Sequence, residues 1–297
     1  MRLLAAVPAA LTPIAFVAAV LALLLPSTGL AERSDLLLAL LVLVTALGIS
    51  FADLRRLGAH AREVCFLSIV PMIALVAAAW LIGRPFTPLV RDGLLAVGLS
   101  SAEVASVGLV ALAGADATIA LGVVTGSLIL AALVGPLMLG ALSSATVHVS
   151  SAHLVGRFAL VVIVPLAVGM AVRSRSAWTR RLAALDPPRE GLAALTVAVL
   201  VYAALSGTHG AHHLGAALLA SVAFLLVCGL LAAGWRRLAG ARASALPGAL
   251  SIGMRDFAVA AALATQAFGP GAGAVPGVYG VVMLLTGTIA AGRLAGR

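Results

Sequence analysis

Ten runs of almost wholly apolar residues, each about 17 to 26 long, constrain this chain more than any other feature. A helix of that length crosses the roughly 30 Å hydrocarbon core of a bilayer with its backbone groups bonded within itself. The runs cover residues 6 to 26, 36 to 52, 64 to 82, 88 to 112, 117 to 142, 154 to 172, 190 to 206, 213 to 235, 244 to 268 and 274 to 294. Composition names the solvent. The chain is 63% hydrophobic and 10% charged with a mean hydropathy of +1.18, whereas a soluble domain carries about 25% charged residues. The expected fold class is an all-α polytopic membrane protein of ten transmembrane helices, with the lipid bilayer as its first partner and a bacterial-type inner (plasma) membrane as its place.

The net charge of +9 would suit a nucleic-acid binder only if the basic residues clustered on a polar domain. They do not, so no nucleic-acid partner is expected. All 19 basic residues are arginine, and most lie in the short gaps between apolar runs. With the N-terminus inside, 14 of them fall on the cytoplasmic side, against four outside: Arg33, Arg84, Arg91 and Arg157. Arg255 is left within the membrane. The positive-inside bias therefore places both termini in the cytoplasm. The first run, opened by Arg2, imitates a signal peptide, but its apolar stretch exceeds the usual 7 to 15 or so residues and it is read as a retained helix.

Ten helices divide into two sets of five, residues 1–150 and 151–297. Five is odd, so the second set enters the membrane inverted, an arrangement found in many secondary transporters. The fourth run of each half then invites comparison. The first holds Glu103 within "GLSSAEVASVG", and the second holds Arg255 and Asp256 within "PGALSIGMRDFAVA". Both are rich in Gly, Ser and Ala, which predicts interrupted helices at matching positions. These three charges are read as the only deep ones, and each should face protein or water, since a charge at the bilayer centre costs about 3 kcal/mol even on the mild insertion scale. By helical spacing Glu103, Ser106 and Val107 share one face, as do Ser251 and Arg255. Two readings stay open: mutual neutralisation at a helix crossing, with Glu103 or Asp256 paired to Arg255, and binding of a solute or coupling ion. Open half-helix N-termini and the planar fork of Arg255 lean towards an organic anion.

At this point the chain resembles the bile acid:sodium symporter family. "ISFADLRRLGAHAREV" is similar to its second helix and arginine-containing turn, "IVPLAVGMAVRSR" to its sixth, and "GMRDFAVAAALATQAFGPGAGAVPGVYGVV" to its ninth and the start of its tenth. The stretch through "GADATIALGVVTGSLILAALVGPLML" looks like the fourth and fifth. The resemblance implies a core domain built around broken, crossing fourth and ninth helices, a panel domain that the core moves against, and sodium sites at the crossing. The sodium ligands carry over incompletely. Where the family commonly shows Ser-Asn in helix four, this chain reads Ser106-Val107. Where helix nine commonly reads Glu-x-Gly-x-Gln-Asn, it reads Ser251 to Asp256, with Ser251 for Glu and Arg255 for Gln. A helix-three Gln becomes Phe66, and a helix-five Thr falls at or beside Val124 and Thr125. An arginine supplies no oxygen ligand, so Arg255 stands in place of a sodium ion and leaves Glu103 or Asp256 to carry protons or close an ion pair. An arsenite exporter needs a helix-four thiol, and only Ser100, Ser101 and Ser106 stand there.

The expected binding set for solute or ion is Glu103, Ser106, Thr125, Ser251, Arg255 and Asp256. The expected function is secondary transport of a small organic anion by alternating access, coupled to sodium or to protons or uncoupled. The rival class is a non-transporting membrane sensor or scaffold. No Walker motif, GxSxG or metalloprotease signature is present, so neither an enzyme nor a cofactor is expected. His209, His212 and His213 have spacing that would let them meet at a helix start, but a hydrated loop is the plainer reading, as it is for His148 and His153. Cys65 and Cys228 sit inside apolar runs as small hydrophobes, and Pro136 and Pro165 fall inside helices. Reporter fusions after Arg181 and after Arg237 should report cytoplasm and one near His212 the outside; an inverted result at His212 breaks the ten-helix count.

Overall fold

The computed structural model describes residues 11–143, 151–175, 184–206 and 212–295, and these are helical almost throughout. In chain order the helices are α1 (Leu11–Leu24), α2 (Ser34–Ala46), α3 (Ala61–Gly83), α4 (Pro88–Leu99), α5 (Ala105–Leu112), α6 (Ala117–Leu142), α7 (Ser151–Arg173), α8 (Asp186–Ser206), α9 (His212–Ala239), α10 (Ala245–Gly253), α11 (Phe257–Phe268) and α12 (Ala274–Ala295). Short helical turns at Thr28–Ala31, Phe51–Arg56, Leu57–His60 and Pro270–Gly273 occupy connections. Local chemistry sets several starts. Pro88 takes the first turn of α4, where its missing N–H costs nothing. Asp116 caps α6 by accepting from Thr118 N–H at 2.8 Å.

Among the described residues, five segments are long and apolar enough to cross a membrane: Ala61–Gly83, Ala117–Leu142, Ala152–Arg173, Asp186–Ser206 and Leu214–Ala239. The runs at 6 to 26 and 36 to 52 form the shorter helices α1 and α2, those at 88 to 112 and 244 to 268 are each split into two helices, and that at 274 to 294 forms α12. The run expected at 36 to 52 stops at Ala46, because Asp53 accepts from both Ser50 N–H (3.0 Å) and Ser50 O–H (2.6 Å) and so starts a separate short helix. Pro136 and Pro165 lie inside α6 and α7 as expected. Leu226 and Leu230 of α9 are 65% and 72% exposed, and α1, α3 and α7 also turn large apolar side chains outward. A soluble monomer rarely bares so much apolar surface; a lipid-facing one does.

Two packing groups emerge. α1, α2, α7 and α8 lie on one another, while α3, α4, α6, α9 and α12 pack around α10 and α11, with α5 against α6 and α10. The two groups meet where α7 passes α6, where α8 and α1 pass α12, and where α2 passes α11. Near the start of α2, Asp35 accepts from Arg157 of α7 (2.7 and 2.9 Å) and from Gln266 of α11 (2.7 Å), tying both groups to one carboxylate. At the opposite end of α2, Asp186 receives Arg173 at 3.2 Å and Arg189 at 3.1 Å, and Arg189 also donates to the carbonyls of Val44 and Thr45.

The guanidinium side chains of Arg173 and Arg189 are only 15% and 19% exposed, so they depend on the Asp186 carboxylate they share. Asp186→Ala should lower unfolding stability in detergent by about 2 kcal/mol, between the cost of breaking a surface pair and that of breaking a buried one. Glu190→Ala, which removes a 59% exposed partner of the same Arg189, should cost less than about 1 kcal/mol. Equal losses in the two variants would show that the Asp186 cluster is no tighter than a surface contact.

Candidate functional site

Each of the two interrupted segments is a pair of short helices joined by a few non-helical residues. The first breaks at Ser100–Val104, between α4 and α5, and the second at Met254–Asp256, between α10 and α11. Ser100 and Met254 are both extended, with ψ of 166° and 119°. The two extended stretches pair as a single antiparallel bridge between Ala102 and Arg255. Glu103 N–H donates to the Met254 carbonyl at 3.0 Å, and Asp256 N–H donates to the Ser101 carbonyl at 2.9 Å. The crossing expected from the sequence is therefore a backbone contact, and each break supplies the partner that the other lacks.

The bridge brings Glu103, Arg255 and Asp256 together, all buried at 5%, 2% and 4% exposure. Asp256 caps α11: its Oδ1 accepts from Ala258 N–H and Val259 N–H, both at 3.0 Å. The Glu103 carboxylate lies beside the amide groups of Val104, Ala105 and Phe257, and the charge that acts on it is Asp256. The half-helix N-termini expected to be open thus already carry the protein's own carboxylates. The pairing of Glu103 with Arg255 is also absent. Among the described residues the ion pairs within 4.0 Å lie elsewhere, and the groups that act on the Arg255 guanidinium are Cys228 of α9, Tyr279 of α12 and Asp256. The expected shared face of Ser251 and Arg255 fails for a simple reason, since α10 ends between them at Gly253.

Ser106 stands one turn beyond Glu103 in α5, Thr125 on α6, and Ser251 in the last turn of α10. Val124 and Ile252, their neighbours in sequence, pack with Ala102, Leu67 and Val123 in one small apolar cluster, which shows that α3, the first break, α6 and α10 converge there. Glu103 Oε2, Ser106 Oγ, Thr125 Oγ1, Ser251 Oγ and both Nε and Nη2 of Arg255 are buried with no hydrogen-bond partner. Such atoms are rare in native proteins and each costs about 1 to 3 kcal/mol. Five of the six residues singled out from the sequence therefore carry an unmet polar atom, and Asp256 is the exception.

Four participants were not legible beforehand. Ser127 O–H donates to the Val124 carbonyl (3.1 Å) while its oxygen accepts from Ala102 N–H (3.0 Å), and Tyr279 Oη accepts from Arg255 N–H (3.2 Å). Asp92 is a further buried carboxyl, 2% exposed in the first turns of α4 and 3.9 Å from Arg91 of the same helix. Gln266 binds Asp35 as described. Of the histidines, His148 and His209 lie outside the described residues, His212 and His213 open α9, and His153 is on α7. Cys65 and Cys228 are both free thiols.

Apolar helices wrapped around two mutually bonded helix breaks are those of an integral membrane protein. The chain belongs to the SBF-like CPA transporter family, a family related to the bile acid:sodium symporters, whose model matches residues 10–284. No curated protein matches it.

The cap on α11 gives a direct check. Asp256→Ala removes the acceptor of two amide groups and should cost about 1 to 2 kcal/mol in detergent melts, whereas Asp256→Asn keeps an acceptor and should retain most of that stability. Loss of equal size in both variants would mean that the charge of Asp256, not its cap, holds α11.

Proposed function

We propose that this chain is a secondary transporter of a small organic anion that works by alternating access about the crossing of the two breaks, with the anion held by Arg255 and a coupling proton carried by Glu103 and Asp256. The observation that carries this reading is the buried Arg255 side chain whose Nε and Nη2 both lack a partner. These two nitrogens form one side of the guanidinium, the side a carboxylate meets with two parallel hydrogen bonds. A buried guanidinium without such a partner is costly, so a ligand that completes it gains affinity. Both nitrogens are sealed from solvent, and the solute reaches them only as the surrounding helices shift.

The carboxylates supply the second half of the cycle. With Arg255, Glu103 and Asp256 all ionised, the site holds one negative charge in excess. A proton on Glu103 gives Oε2 its missing donor and cancels that excess, and a solute carboxylate then enters with a further proton at no change in total charge. Sodium coupling is the second reading, favoured by the unmet oxygens of Ser106, Thr125, Ser251 and Glu103, since hard cations take oxygen ligands. The halves 1–150 and 151–297 act as inverted five-helix repeats in this scheme, supported by the pairing of Ala102 with Arg255 at corresponding breaks. The arginine distribution supports a plasma-membrane protein with both termini in the cytoplasm.

Uptake of radiolabelled mono- and dicarboxylates into proteoliposomes tests the scheme. An imposed proton gradient should drive uptake equally well in sodium and in choline buffer. Arg255→Gln should reduce uptake about 100-fold, as expected if two charge-assisted hydrogen bonds worth about 3 kcal/mol are lost. Uptake that requires sodium selects the second reading. No uptake under any gradient, from a protein that melts cooperatively, selects a sensor or scaffold.

A further inference from the structure

Each break leaves a backbone amide at its bridge position, and each amide is taken up in the same way. Ala102 N–H donates to Ser127 Oγ of α6, 25 residues further along the chain, and Arg255 N–H donates to Tyr279 Oη of α12, 24 residues further along. Ala102 and Arg255 are the two residues that face each other in the bridge. Both hydroxyls come from the helix that follows the interrupted segment, and both side chains are buried, at 1% and 0% exposure. In lipid or a dry core an extended amide without a partner costs several kcal/mol. The helix that follows therefore decides whether the break can stay extended.

Close approach of these helices is built in. Gly126 precedes Ser127, and a Cβ there would stand 2.7 Å from Ser68 Oγ of α3. Gly280 follows Tyr279, and a Cβ there would lie 2.7 Å from Cδ2 of Phe257, the first residue of α11. A side chain at Gly280 would press on the start of α11 beside the second break, and one at Gly126 would press on α3. Tyr279 is held further by an edge-on ring contact with Phe224 of α9, at a centroid distance of 5.9 Å.

We propose that Ser127 and Tyr279 are a matched pair of positioning residues: each pins the bridge amide of one break, and together they hold Glu103, Arg255 and Asp256 in register across the crossing. Neither needs to touch the solute. Because the breaks share the bonds from Glu103 N–H to Met254 and from Asp256 N–H to Ser101, loosening one pin loosens both breaks. The part the pair plays in transport rests on the reading above, whereas the pinning itself does not.

Hydrogen–deuterium exchange on the purified full chain in detergent tests the pinning without any transport. Ser127→Ala and Tyr279→Phe should each speed exchange about tenfold in peptides covering both 101–104 and 254–257, as expected when one buried amide loses its partner. Ser127→Thr keeps a hydroxyl at the same place and should restore the slow rate. Ser221→Ala removes a comparable hydroxyl between α9 and α12, at 3.5 Å from the Val275 carbonyl, and should leave both peptides unchanged. In proteoliposomes, uptake of whichever carboxylate the unaltered protein accepts should fall in Ser127→Ala and recover in Ser127→Thr. Exchange that stays slow at both breaks, that rises only at the break whose pin was removed, or that rises equally along α3 and α7 overturns the proposal. Fast exchange at both breaks with full uptake retained overturns the positioning role as well. If the unaltered protein takes up nothing, the transport reading fails while the exchange result still decides whether the pins exist.

Discussion

The structure turns on two backbone hydrogen bonds exchanged between its breaks, Glu103 N–H to Met254 and Asp256 N–H to Ser101. In an apolar surrounding a helix can be interrupted only if something else satisfies the groups it releases. Here the two interruptions satisfy each other, so neither break is stable alone and both must fall at the same depth. Much follows from that requirement. α5, α10 and α11 are short because they are halves of interrupted segments, and the breaks between the halves are buried because extended backbone cannot face lipid. The deep charges sit next to the bridge because the residues flanking it are the ones whose side chains leave an extended backbone at this depth.

How far this could be read from the sequence depends on whether a residue advertises itself alone. Glu103, Arg255 and Asp256 did, since an ionised group in an apolar run of "GLSSAEVASVG" or "PGALSIGMRDF" has no bland place to go. The Gly, Ser and Ala around them marked where the helices would break. What stayed hidden was relational. Ser127 is one hydroxyl among several in a membrane helix, and Tyr279 looks like a core aromatic; only the fold shows that each oxygen meets an amide some 24 or 25 residues away. Asp92 is hidden for another reason: it lies near the start of the run 88 to 112 beside Arg91, where a carboxyl does not stand out, and only the packing shows that it is buried. The helical spacing that grouped Ser251 with Arg255 failed where periodicity itself ends, at the break after Gly253. Spacing arguments lose their meaning at the very place where the chain stops being a helix.

Electrostatics at the crossing also departs from a simple pairing. A Glu103–Arg255 salt bridge would have neutralised the site and stiffened it. Instead Asp256 is committed to the end of α11, and neither Asp256 nor Glu103 comes within 4.0 Å of the Arg255 guanidinium as an ion pair. Opposite charges are thus gathered in one place but not joined. A buried guanidinium and two buried carboxyls gathered without a direct ion pair are a costly arrangement, which would gain stability from that pair or from apolar replacements.

The two packing groups meet through both apolar and polar contacts. α7 lies along α6 and α8 along α12 as apolar helix faces, while α2 and α11 are also joined through the carboxylate of Asp35, which holds Arg157 as well. The Gln266 side chain gives its amide nitrogen to that carboxylate and keeps a buried carbonyl oxygen without a partner. A polar contact of this sort separates at smaller cost than a packed apolar face, because each partner can be taken over by water when the groups part. The crossing, by contrast, is tied on every side by buried backbone bonds whose loss water cannot repair at that depth. Of the two polar ties, the one from Gln266 to Asp35 is thus the more easily exchanged for water, and the backbone bonds that join the two breaks are the least.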